Sequence, residues 1–176
     1  MSDPSPASPA HHHRRDAVAS VPTVVITVSD TRTPETDTGG ARVAELLAAA
    51  GHPVVAREIV KDEAEAIAAA TRRAIGRGDA RAVVLTGGTG IAPRDVTPDA
   101  VEPLLERVVP GFGELFRMLS FEEIGSAALL SRAVCGLARG VVVCVLPGSR
   151  GAVTLAMERL LLPELGHLAA EAQKQR

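Results

Sequence analysis

Tryptophan and tyrosine are absent from this 176-residue chain, and phenylalanine occurs only three times, at Phe112, Phe116 and Phe121. With so few aromatic faces, the chain is not expected to stack nucleic-acid bases. Neither sign of charge dominates. The net charge is −2, so no global basic field recruits nucleic acid or an anionic membrane. Long apolar runs are missing too, and none approaches the ~20 residues of a membrane span. Cysteine is scarce: Cys135 and Cys144 are not spaced as a zinc or redox pair and sit among small apolar residues. Buried free thiols in a reducing cytoplasm are the expectation.

What is present is an ordinary globular balance, 46% hydrophobic and 23% charged, in a length that fills one core and not two. Residues 1–20 differ in composition, rich in Ser, Pro and Ala with His11-His12-His13 and Arg14-Arg15. They are read as a disordered, solvated leader without the apolar stretch of a signal peptide. A single domain is expected over residues 21–176. Strands are predicted near 23–29, 53–60, 82–86 and 141–146, each a β-branched apolar run. Between the first three, Val43, Leu46, Leu47 and Ala50, then Ile67, Ala70, Thr71, Ala74 and Ile75, repeat with helical spacing. Strand and helix alternating at this spacing predict an α/β fold with a parallel sheet covered on both faces. Ligands in such sheets bind beyond the carboxyl ends of the strands.

Local signals predict further helix starts. Asp62 is expected to cap the second helix, and Thr97 and Pro98 to stand at N-cap and N1 of a helix running to about Arg107. Ser120 with Glu123 has the form of a capping box, so a new helix is expected there. Phe112 and Phe116, one turn apart, are expected in the core.

The third strand leads into Thr86-Gly87-Gly88-Thr89-Gly90, three glycines in four residues, followed by Arg94-Asp95 and Thr97-Pro98. Glycine permits positive φ and removes side chains, so consecutive backbone N–H groups can close on an anion. The stretch is neither a P-loop nor a dinucleotide fingerprint. On these residues alone it is either an anion site or a tight turn that lets a helix pack on a sheet. Pro147-Gly148-Ser149, after the last strand, carries the same two readings.

Taken together, the ordered motifs resemble the MoaB/Mog family of molybdenum cofactor biosynthesis, which includes the G domains of gephyrin-type proteins. The residues that carry the resemblance are Ser29-Asp30, the Thr86–Gly90 loop with Pro93–Pro98, Pro110–Glu114, Leu130-Ser131-Arg132 and Pro147-Gly148-Ser149. The likeness runs from about Val24 to about His167. It implies a three-layer α-β-α sandwich with a mostly parallel sheet, assembled as a homo-oligomer, a trimer or a hexamer. It implies molybdopterin as substrate or ligand, whose terminal phosphate is adenylylated by Mg-ATP with release of pyrophosphate. On that reading the protein is a cytoplasmic nucleotidyltransferase. By the same resemblance Ser29, Asp30, Gly87, Gly88, Thr89, Gly90, Arg94, Ser131, Pro147, Gly148 and Ser149 hold substrate. Asp62 and Asp95 match catalytic aspartates and are the expected Mg²⁺ ligands. Phosphoryl chemistry needs charge neutralisation and in-line positioning more than proton transfer, a task suited to carboxylates and Mg²⁺. His52 and His167 are therefore assigned no catalytic part. For Arg94, neutralising phosphate and pairing with a nearby carboxylate both stay open. A non-catalytic molybdopterin carrier, or a scaffold of the same fold, is the alternative.

Overall fold

A computed structural model describes residues 17–174, so the expectation for the leader falls almost entirely outside the described residues. Where the description begins, the chain is already tied down. The Val18 N–H donates to Gly166 O at 3.1 Å, and Val21 is wholly buried.

Strands β1 (Thr23–Val28), β2 (Val54–Val60) and β3 (Ala82–Thr86) alternate with helices α1 (Thr38–Ala49) and α2 (Ala64–Ile75). Next come a short helix α3 (Thr97–Val101), a 3-10 turn (Glu102–Leu104) and a two-residue strand β4 (Arg107–Val108). Helix α4 (Pro110–Ile124) and the 3-10 segment Gly125–Leu130 lead into β5 (Val134–Ala138) and β6 (Val141–Leu146). Helix α5 (Arg150–Ala156), a π turn (Met157–Leu161) and α6 (Leu162–Gln173) follow. Pro163 lacks the N–H that an α-helical ladder would need at that point, which accounts for the widened turn just before it.

The six strands of the described residues share one sheet in the order β2-β1-β3-β6-β5-β4. The pairs β1–β2, β1–β3 and β3–β6 are parallel, while β4–β5 and β5–β6 are antiparallel. Alternation along each strand builds two apolar layers. Val24, Ile26, Val83, Leu85, Val143 and Val145 pack with Ile67, Ala70 and Val101 on one face. Val25, Val84, Val142 and Cys144 pack on the other face with Leu47, Phe116, Met157, Leu161 and Leu165. This is the expected three-layer α/β architecture with a mostly parallel sheet.

Several local expectations are corrected. The four predicted strands are joined by β4 and β5, whose sequences are too short or too rich in small residues to stand out. Helix α2 is preceded at N-cap by Glu63, which makes no side-chain cap, and Asp62 lies outside the helix. Val96, not Thr97, precedes α3. That helix stops at Val101, because Pro103 supplies no N–H for its continuation. Ser120 starts nothing: it is buried inside α4, where packing of Phe112, Phe116 and Leu119 into the core overrides the local capping signal. Phe121, by contrast, is 60% exposed.

The two cysteines are free and wholly buried, as expected. Their relation was hidden by spacing. Cys135 and Cys144 stand directly opposite each other across the β5–β6 ladder, Sγ to Sγ 2.6 Å. Burial pushes the Cys144 thiol up, and Cys135 adds to that shift.

Candidate functional site

The sheet's order of growth reverses between β1 and β3, since α1 carries the chain from β1 to β2 on one side while β3 lies on the other. Such a reversal leaves a crevice at the strands' carboxyl ends. A cavity of about 390 Å³ opens there, lined by Thr27, Ser29, Thr86, Gly87, Gly148 and Ser149 among others. The loops after β1, β3 and β6 thus converge. Thr86 Oγ1 donates to Pro147 O at 2.9 Å, and the Gly87 N–H to Leu146 O at 3.0 Å. Gly87 must be glycine: its φ is 109°, and a Cβ there would strike the Val28 carbonyl. Ser149 Oγ accepts the Ala152 N–H at 3.3 Å and so caps α5.

Beside the crevice, the glycine loop presents its amides. Gly88 O accepts from the Thr97 N–H at 3.1 Å, and Thr89 O from the Arg132 N–H at 3.0 Å. Gly90 O accepts from Arg132 Nε at 2.9 Å. A trans peptide directs its N–H opposite to its carbonyl, and no cis bond occurs among the described residues. The N–H groups of Thr89, Gly90 and Ile91 therefore point away from these partners. Among the described residues none of the three donates to a protein acceptor. Consecutive unpaired amides of this kind form an anion nest.

Acidic groups border the nest. Asp62 Oδ1 lies 2.9 Å from the position a Cβ would take on Gly88, and Asp95 Oδ2 lies 2.6 Å from that position on Gly90. Asp95 Oδ2 also accepts the Ala92 N–H at 3.0 Å, which closes the turn behind the glycines. Asp30 accepts the Asp62 N–H at 3.3 Å and pairs with the Arg94 guanidinium. Burial raises the Asp62 carboxyl above the usual carboxylate range; the charges of Asp30 and Asp95 add to that, and Arg94 opposes it. A carboxylate held against like charge favours a nearby cation. Among the described residues no group of three or more His, Cys, Asp and Glu is placed to cage a metal. Mg²⁺ needs no such cage, since it keeps waters and takes one or two carboxylates together with substrate phosphates. The hard oxygens of Asp62 and Asp95 fit that donor set.

Two of the expected site residues sit elsewhere or do other work. Ser131 lines a separate depression with Glu114 and Arg117, behind the loop and not in the crevice. Thr89 is buried and is not among the residues that line the crevice.

Sequence reading missed Asp37, Arg57 and Arg132. Asp37 is buried, caps α1 by accepting the Gly40 N–H at 2.8 Å, and accepts Thr27 Oγ1 at 2.8 Å. Arg57 from β2 reaches the same carboxylate at 3.1 Å. Asp37 and Arg57 wall a larger cavity of about 670 Å³ next to the crevice, which also includes Ser29, Asp30, Arg32 and Lys61. An N-cap aspartate before Gly39-Gly40 was a readable local signal; the Arg57 contact, across a strand pair, was not.

Comparison with known proteins agrees with this fold. The family described as probable molybdopterin binding domain matches residues 24–167. Molybdenum cofactor biosynthesis protein B of Halalkalibacterium halodurans is 51% identical over 165 residues, covering 93% of this chain and 97% of that protein. A crystal structure of a molybdenum cofactor biosynthesis protein B superposes with a TM-score of 0.87 at 51% identity, over 89% of this chain and 98% of the other. The tungsten cofactor synthesizing protein MoaB from Pyrococcus furiosus gives 0.81 at 36% identity, over 90% of this chain and 100% of its own. With the fold, the crevice and both strand-end carboxylates in place, the chain belongs to the MoaB/Mog family of molybdenum cofactor biosynthesis proteins.

Proposed function

We propose that the protein binds molybdopterin and adenylylates its terminal phosphate with Mg-ATP. The observation that carries this reading is the pairing of an anion nest with two carboxylates at its edge, Asp62 beside Gly88 and Asp95 beside Gly90. In the reaction a phosphate oxygen of molybdopterin forms a bond to the α-phosphorus of ATP. The bond from that phosphorus to the α–β bridging oxygen breaks, and pyrophosphate leaves with the electron pair. The nucleophile is already ionised near neutral pH, so the protein's work is orientation and charge compensation. The amides of Thr89, Gly90 and Ile91 hold the phosphate, and the Gly148-Ser149 turn bounds the opposite wall of the crevice. Arg94, fixed by Asp30, lends positive charge without moving a proton. Asp62 and Asp95 would hold Mg²⁺, which when bound neutralises charge on the phosphates. Mg-ATP as co-substrate implies a cytoplasmic protein.

The alternative reading is a molybdopterin carrier without turnover. Purified protein incubated with molybdopterin and Mg-ATP separates these readings. Adenylyl-molybdopterin and pyrophosphate formed in equal amounts support the enzyme. Stoichiometric binding without pyrophosphate supports the carrier, and neither outcome leaves a scaffold.

We also propose a homo-oligomer, a trimer or hexamer. Leu115, Met118, Phe121 and Ile124 on α4 and Leu129 and Leu130 just after it are all about half exposed or more. So many large apolar side chains exposed within one segment would be covered by self-association.

A further inference from the structure

Arg132 meets the glycine loop through both its side chain and its main chain. Its Nε donates to Gly90 O at 2.9 Å, and one Nη donates to the Asp95 carbonyl. The other Nη spans both carboxylate oxygens of Asp99 at 3.0 and 2.9 Å, while the Arg132 N–H meets Thr89 O at 3.0 Å. Three carbonyls of one loop are thus drawn toward a single residue that enters from the segment before β5. A guanidinium offers its donors in a rigid planar fork. Holding the Gly90 and Asp95 carbonyls in that fork sets the angle between two peptide planes. Each peptide plane so held turns the next residue's N–H the opposite way.

We propose that Arg132 is a positioning residue: its guanidinium, through the Gly90 carbonyl, aims the Ile91 amide at the ligand's phosphate and keeps Asp95 beside it, while its main-chain N–H, through the Thr89 carbonyl, turns the Gly90 amide the same way. The inference rests on the reading that this loop binds the molybdopterin phosphate. Its ion pair with Asp99 is not the point, because the Asp99 side chain is 62% exposed and such pairs add little stability. The main-chain contacts are the ones that shape the site. Lysine cannot replace them, since its three donors radiate from one atom and have no fixed plane.

The test uses the full chain and molybdopterin under anaerobic conditions, with dissociation constants measured for wild type, Arg132→Ala, Arg132→Lys and Asp99→Asn. Arg132→Ala is expected to bind at least about tenfold more weakly, the scale of one hydrogen bond to a charged group. Arg132→Lys should also lose affinity, and millimolar methylguanidinium should restore binding to Arg132→Ala. Asp99→Asn should keep wild-type affinity. A merely structural arginine would lower the melting temperature in Arg132→Ala while leaving affinity per folded molecule unchanged. That outcome overturns the inference and spares the ligand reading. Absence of binding by wild type overturns both. Should Arg132→Ala fail to fold, Arg132→Lys with wild-type affinity would by itself sink the proposal.

Discussion

Arg94 pairs with Asp30, 64 residues away, and not with its chain neighbour Asp95. The arrangement leaves the Asp95 carboxylate to close its own turn on the Ala92 N–H at 3.0 Å and to border Gly90. It also ties the loop after β3 to the loop after β1 across the crevice. The carboxylate that Arg94 meets is thus Asp30, a partner that spacing could not name.

The two aspartates should separate by variant. Asp62→Asn and Asp95→Asn are both expected to lower adenylyl transfer by at least ~10²-fold, the scale for one preorganised electrostatic contact. Molybdopterin binding should largely survive in both. Stability should differ, because only Asp95 accepts a structural hydrogen bond. Ionised Asp62 sits against like charge with its carboxyl pKa raised, so its contribution to stability is full below the unfolded value and lost as pH rises through the folded one. Asp62→Asn should therefore match or exceed wild type in melting temperature at neutral pH, while Asp95→Asn falls below it.

His52 gives an opposite pH dependence. Its Nδ1 accepts the Val21 N–H at 3.1 Å, which requires an unprotonated nitrogen, and burial lowers its pKa from the ordinary 6.5. Protonation then favours the unfolded chain. Its contribution is present above the unfolded value and lost as pH falls through the lowered folded one. Melting temperatures recorded between about pH 7 and about pH 5 should fall more steeply in wild type than in His52→Gln. Identical slopes would remove His52 as the cause.

Gly88→Ala tests the crowded side of the loop. Gly88 has φ 62°, and a Cβ would meet Thr97 Oγ1 as well as Asp62 Oδ1 at 2.9 Å. A loss of about 1 kcal/mol or more is expected from backbone strain alone, together with loss of molybdopterin binding. Gly111→Ala in α4, where nothing lies within 4 Å of a Cβ, should be neutral or stabilising. Denaturant titration and ligand binding on both variants provide the comparison.

Two phenylalanines of α4 should behave oppositely. Phe116 is 1% exposed, and Phe116→Ala should cost ~3–5 kcal/mol of stability. Phe121→Ala, on the exposed face, should leave the fold intact and weaken self-association. Sedimentation of wild type as a monomer at micromolar concentration would defeat the oligomer, and an unchanged assembly in Phe121→Ala would move its interface elsewhere.

Much of the fold was legible because its signals are short-range. The runs Val24–Val28 and Val141–Leu146 alternate their side chains between two faces, and any chain so written buries both. Gly87 and Gly88 announce positive φ at the place where strand meets loop. The misreadings were also local: Ser120 and Glu123 carry a genuine capping signature, but Phe116 and Leu119 pack as one continuous face, and burial outweighs a cap. β5 was missed because Val134–Ala138 contains Gly136 together with the small Cys135 and Ala138, so its identity as a strand comes from the partner it lies against.

The alternation of strand and helix, the glycine loop at a strand end and the two carboxylates beyond strand ends are all written in short stretches of sequence. Tertiary structure alone decided which groups meet. Strand order puts the loops after β1, β3 and β6 at one crevice, and β5 ends up opposite β6 with Cys135 against Cys144. Arg132, 42 residues from Gly90, supplies the donors that take the loop's carbonyls. Propensity and periodicity act over a few residues, whereas such contacts depend on strand order and register that no short window of sequence contains.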